Sequence, residues 1–197
     1  MSFLAHMKQR RTIYAIGKNV SLTADQIEDI IKDAVRNSPS AFNSQTSRVV
    51  TLYGASHEKF WNIVRETLRK VVPEDAFEKT NAKINSFAAG YGTVLFFEDQ
   101  ETVKSLQKQF ALYAEHFPAW SEHSTGIAQF AVWSSLAEHH IGASLQHYNP
   151  VIDAEVAATF DIPESWKLRA ELVFGSIEAP AEEKTFLDDS IRFKRFD

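Results

Sequence analysis

The sequence predicts an α+β fold. Three observations carry that reading. Helical patterns outnumber about four scattered strand-like runs, which do not follow a strict βαβ alternation. One of those runs, TVLFF at 93–97, is apolar throughout, as expected of a strand covered on both faces. Neither G-x-G-x-x-G after a strand nor G-x-x-x-x-G-K-[ST] occurs, which argues against a Rossmann domain and a P-loop.

The elements follow in order. Phe3, Leu4 and Met7 fall at helical spacing and predict a first helix over 2–10. Thr23 and Gln26 have capping-box spacing, and Leu22 and Ile27 stand where a hydrophobic staple clamps a helix entry. Ile27, Ile30, Ile31, Ala34 and Val35 then form one apolar stripe, and Pro39 stops the helix. RVVTLYG at 48–54 reads as a strand rich in β-branched residues. A helix from Ser56 places Phe60, Ile63, Val64, Leu68 and Val71 inside. Pro73 opens the next helix, with Glu74 and Asp75 in its first turn, and Gly90-Tyr91-Gly92 breaks it. Residues 101–110 read as helical. Residues 121–140 form the longest helical candidate, apolar nearly all round, which belongs at a fold centre or an oligomer interface. Gly142 is the expected residue just past its end. A short strand at 143–148, a helix at 153–160 and a strand at 168–174 follow. The last 22 residues lack periodicity, which in a compact domain points to a functional arm. With 197 residues and no linker or repeat, the expectation is one domain over 1–197.

Composition narrows the function. There is no cysteine, so disulfides, thiolate metal sites and a Cys nucleophile are excluded. The net charge of −5 argues against broad nucleic-acid binding. No apolar run approaches the ~20 residues of a membrane span. Residues 1–24 hold no acid but carry Lys8, Arg10, Arg11 and Lys18, so this segment is +4 and the remainder −9. The basic start resembles a mitochondrial presequence only superficially, being short and nearly Ser-free, and the expected location is cytoplasmic. The seven histidines form no H-E-x-x-H, and a metal site is not expected.

Three segments carry chemistry. Arg10, Arg11 and Thr12 offer two guanidinium forks beside a hydroxyl, a set suited to a phosphate monoester, although a lone Arg pair is more often a solvated face. SPSAFNSQ at 38–45 packs hydroxyl and amide groups around a rigid Pro. It reads either as an ordinary helix-to-strand loop or as a recognition edge for a planar heterocycle. LQHYNP at 145–150 either leads into a Pro turn or presents backbone to a ligand. Arg192, Lys194 and Arg195 form a second basic group at the far end, and the two groups can converge on one dianion.

Taken together, RRTIYAIGKNV, SPSAFNSQTSRVV, AGYGTVLFFEDQ, the 121–136 helix, GASLQHYNP and SIRFKRF resemble the nitroreductase family of flavin mononucleotide (FMN) enzymes. The likeness is greatest to the short bacterial and fungal oxidoreductases linked to fatty-acid signalling and to nitro or quinone reduction. The resemblance implies a central, mainly antiparallel sheet flanked by helices. It also implies an intertwined homodimer with exchanged C-terminal arms and two FMN sites built from both chains. By position, Arg10, Arg11 and Thr12 would bind the phosphate and ribityl end, with Arg192 completing the pocket and Lys194 a secondary candidate. Pro39, Ser40 and Asn43 of the other subunit would flank the isoalloxazine, with Gln45 grouped beside them. Gln146, His147 and Tyr148 occupy the stretch whose backbone faces the ring near N5, and Lys83 lies near a ring-contacting basic position. LQHYNP departs from the Pro/Glu/Gly-containing segment of larger relatives, and the helices that cover their substrate are missing.

The implied activity is ping-pong electron transfer from NADH or NADPH to a nitroaromatic, quinone or related small-molecule acceptor. The flavin would carry the chemistry, so no catalytic side chain is assigned. One alternative keeps FMN but changes the chemistry, as in dehalogenation or flavin fragmentation. Another is a non-catalytic flavin-binding regulator of lipid or redox signalling.

Overall fold

The structure, a computed structural model, describes residues 2–197. Its centre is a sheet in which β2 (Ser47–Tyr53), β3 (Gly92–Asp99), β5 (Trp166–Ile177) and β4 (Gly142–Gln146) lie side by side, each pair antiparallel. A two-residue strand, β1 (Ile16–Gly17), joins the end of β5, also antiparallel. A Cβ at Gly175 would overlap the Gly17 carbonyl oxygen, so this close approach of β1 requires glycine.

Helices cover both faces. On one side α2 (Ala24–Arg36) and α6 (Phe117–Glu138) pack on the sheet, burying Ile27, Ile31, Val132 and Leu136 against Val94, Phe96, Leu172 and Phe174. On the other, α3 (Gly54–Arg69), α4 (Glu74–Ala88) and α7 (Asp153–Phe160) bury Phe60, Trp61, Val64, Ile84, Phe87 and Val156 against Leu95, Phe97 and Val173. Successive β3 residues therefore enter opposite cores, which is why residues 94–97 are all apolar and the buried Thr93 hydroxyl is hydrogen-bonded to His57 and Trp61. The fold is α+β, an antiparallel sheet flanked by helices, as the sequence predicts.

Local signals explain the boundaries. Helix α1 spans Phe3–Gln9, within the predicted range. The capping box of α2 is complete: the Gln26 N–H donates to Thr23 Oγ1 at 3.3 Å, and the Thr23 N–H donates to Gln26 Oε1 at 2.9 Å. Thr23→Ala is expected to cost about 1 kcal/mol of stability, read as a shifted urea midpoint at unchanged slope. Helix α5 (Gln100–Gln109) is capped by Asp99, whose carboxylate also pairs with Arg48 at 2.9 Å. His57 is a core histidine, its ring held between Thr93 Oγ1 (2.9 Å) and the Ala88 carbonyl (3.2 Å).

Four expectations need correction. Helix α6 begins at Phe117, because Pro118 fits the first turn of a helix rather than breaking one. Gly142 does not end it. His140 takes the left-handed conformation (φ 58°), and the Ile141 N–H returns to the Leu136 carbonyl. Gly142 lies instead in β4, where a Cβ would press on Ile13 and Ile177. Val71 is exposed beyond the end of α3. The C-terminal segment contains a short helix, α8 (Asp189–Arg192), capped by Asp188, within an otherwise extended and exposed arm. Among the described residues, no helix is long and apolar enough to cross a membrane.

Candidate functional site

The sequence-predicted residues other than Lys83 fall into three clusters and an arm. In the first, the chain leaves α1 at Arg10 in extended conformation. Thr12 bridges Ala143 of β4, and the Ile13 N–H donates to the Ala143 carbonyl at 3.0 Å. These bonds pin residues 10–13 to the sheet. The Arg10 guanidinium lies over the Trp133 ring of α6, 4.4 Å from its centroid, with Phe130 at 6.0 Å. Its Nε is buried without a hydrogen-bond partner among the described residues. Burial first, and then the charge of Arg11, lower the pKa of Arg10 from its ordinary value. The protonated form therefore lacks compensation that an anion would supply. Arg11 donates to the Glu182 carbonyl of the arm. Arg10, Arg11, Thr12 and Tyr14 line a cleft of about 410 Å³ closed by Glu182, Glu183, Lys184 and Thr185.

The second cluster is the loop after α2. Phe42, Asn43 and Gln45 all take positive φ (57°, 49° and 47°), three non-glycine left-handed residues within four positions. Such backbone persists only where its surroundings hold it. The Gln45 N–H donates to Ser40 Oγ at 3.0 Å. The Phe42 ring is lodged among Phe110 (4.8 Å), Phe117 (5.3 Å), Tyr113 (5.9 Å) and Trp120 (5.9 Å). Pro39, Ser40 and Gln45 thereby line a second cleft, about 210 Å³, with Arg48, Ser124 and Ala128. Asn43 stays exposed at the tip.

The third cluster follows β4. Gln146 is buried and donates to Ser144 Oγ at 3.2 Å. His147 is exposed and lines a 350 Å³ cleft with Asn149, Arg169 and residues of α6, where Arg169 pairs with Glu122. The Tyr148 ring packs edge-on to Trp61 at 6.0 Å. Its N–H donates to Glu171 Oε2 at 2.9 Å. Burial, then the nearby Glu171, raise the Tyr148 phenol to about 12, so it stays protonated.

Lys83 is not drawn into any of these clusters. It is an exposed α4 residue beside the Phe87 ring, 5.8 Å from its centroid. Arg192 and Lys194 are exposed on the arm, and Arg192 lies over Phe193 rather than lining the Arg10 cleft. Within one protomer the two basic groups therefore do not converge on that cleft. Three features escaped the sequence. Lys184 brings a cation to the cleft from an acid-rich tail, Glu171 stands behind Tyr148 from mid-strand, and the aromatic nest fixes Phe42. Only the density of aromatics at 110–120 offered a signal, and it did not point to residue 42.

The sequence model of the nitroreductase family matches residues 7–176. HBN1 of Saccharomyces cerevisiae is 35% identical over 192 residues, covering 96% of this chain and 95% of that protein. The structure of nitroreductase CinD from Lactococcus lactis in complex with chloramphenicol is 53% identical, covers both chains completely and superposes with a TM-score of 0.93. The same protein in complex with 4-nitrophenol gives 52% identity, full coverage of both chains and a TM-score of 0.92.

Proposed function

The chain belongs to the nitroreductase family of oxidoreductases, and from that premise we propose that it is an FMN-dependent enzyme that moves electrons from NADH or NADPH to nitroaromatic or quinone acceptors in a ping-pong cycle. One observation carries the cofactor assignment. Arg10 is a half-buried cation whose Nε has no hydrogen-bond partner among the described residues, set beside Arg11 and Thr12 at the edge of β4. This donor set fits a phosphate monoester, whose charge would compensate what burial has removed.

When bound, the flavin supplies the two-electron chemistry of both half-reactions. The protein's part is to bind, orient and shield. Arg10, Arg11 and Thr12 would hold the phosphate, with Lys184 the cation on the opposite wall. The backbone of residues 147–149 would border the ring. Pro39, Ser40, Asn43 and Gln45 would close the site from a second copy of the chain, with Arg192 and Lys194 brought by its arm. The homodimer is part of the proposal, and α6 supports it. Its inner face is buried, while Ile127 is 42% exposed and Phe130, Ala131 and Trp133 are only partly covered. The arm likewise exposes Phe186, Leu187, Ile191, Phe193 and Phe196. Apolar surface of this extent belongs against a partner. The binding of 4-nitrophenol by CinD supports the acceptor class.

The test is the visible spectrum. The purified protein, or the protein given FMN and dialysed, is expected to be yellow and to bleach with NADH or NADPH. Addition of 4-nitrophenol or a quinone is then expected to restore the colour. A protein that takes up no FMN overturns the proposal. Bound FMN that neither nucleotide can bleach favours the regulator instead.

A further inference from the structure

Glu171 is a carboxyl in the wrong place for a structural part. It is fully buried in the middle of β5, in register with Leu95 of β3 and Gln146 of β4. Oε2 accepts the Tyr148 N–H at 2.9 Å, while Oε1 has no hydrogen-bond partner among the described residues. The Asn149 N–H pulls in the same direction without reaching hydrogen-bond geometry. An amide side chain would accept the same bond without the cost of burying a charge. Residues 147–149 lie beyond the end of β4, and Glu171 reaches across from β5 to take the Tyr148 N–H.

The charged and titratable groups around it are few. Asp153 faces it from α7 and raises its pKa, after burial, which is the larger cause. The Tyr148 phenol faces it from the turn, packed on Trp61 of α3. Arg169 and Lys167, on β5 itself, pull on Asp153 in the opposite sense. The carboxyl is pushed up to about 8.

We propose that Glu171 is a positioning residue: by accepting the Tyr148 N–H it sets the backbone edge of residues 147–149 against which the isoalloxazine lies. This rests on the proposed function, and the experiment separates the two. In ¹⁵N-labelled full-length protein without added flavin, the Tyr148 amide proton is expected to move downfield with a midpoint near 8 as the carboxyl ionises. In Glu171→Gln that titration disappears. FMN titration then distinguishes positioning from packing. Glu171→Gln, which keeps an acceptor, is expected to bind FMN within about twofold of the parent. Glu171→Leu, which fills the space without accepting, binds it about tenfold more weakly at comparable thermal stability, the equivalent of one hydrogen bond. A Tyr148 amide that titrates unchanged in Glu171→Gln overturns the proposal, as does equal FMN affinity in the Gln and Leu variants. FMN binding to none of the three proteins overturns the reading of the function, and the positioning role with it. The amide result would still report the Glu171–Tyr148 bond.

Discussion

Arg10→Ala is expected to weaken FMN binding about 10–100-fold, the equivalent of roughly 1.5–3 kcal/mol for one charge-assisted hydrogen bond. The arginine is already held in place by the Trp133 face, so little side-chain freedom remains to be lost on binding. Its loss removes both a donor and a charge from a partly buried site. Arg10→Lys keeps the charge but not the planar fork, and should recover only part of the affinity. Arg192→Ala probes a different point. In one protomer its guanidinium lies over Phe193, outside the Arg10 cleft. A comparable loss of FMN on its removal would mean that the arm reaches a phosphate elsewhere, as an exchanged arm would. Equilibrium dialysis or flavin fluorescence measures both. Retention of parent affinity by both Arg10→Ala and Arg192→Ala would sink the phosphate assignment.

Glu171→Gln is expected to be more stable than the parent at neutral and alkaline pH. Burial, with the nearby Asp153 charge adding to it, lifts the carboxyl from 4.5 to about 8. The sign follows from proton linkage: the folded chain holds this proton more tightly than the unfolded one. The neutral form's contribution is therefore fully present below pH 4.5 and is lost progressively as pH rises to about 8. The advantage of Gln over Glu should grow across that window and level off above it at about 5 kcal/mol, at roughly 1.4 kcal/mol per pH unit. Glu98 is also raised by burial but remains in the variant and largely cancels, so the difference between the two curves reports Glu171 together with its coupling to Asp153. Urea unfolding at pH 5, 6, 7 and 8 measures it. A difference that does not change with pH would place the carboxyl in contact with solvent.

Much of the architecture was legible along the chain. The Thr23–Gln26 box, the α2 stripe, the turn at Gly90–Gly92 and the two-faced β3 are local patterns. Each is decided by residues within a few positions of one another, where backbone geometry and side-chain period act directly. The Arg10–Thr12 and 38–45 segments were readable for the same reason, as runs of unusual chemistry. Helix α6 was misread at both ends because its limits depend on what surrounds it. Pro118 sits in its first turn, and the close packing of Ile13 and Ile177 on β4 requires Gly142.

Local sequence carried most of the element order, though not β1 or α8, together with the fold class and the polar segments from which a phosphate and ring site can be built. Tertiary structure decided which of them meet. It placed Arg10 on Trp133, 123 positions along the chain, and Tyr148 on Glu171, 23 positions on. It set the Phe42 ring against four others in a loop where Phe42, Asn43 and Gln45 take left-handed backbone. It also left Lys83 on an outer helix face and Arg192 on an exposed arm. The physical reason is that period and propensity act over a few residues. The burial of a charge, the strain of a loop and the pairing of distant groups depend on packing, which no local pattern encodes.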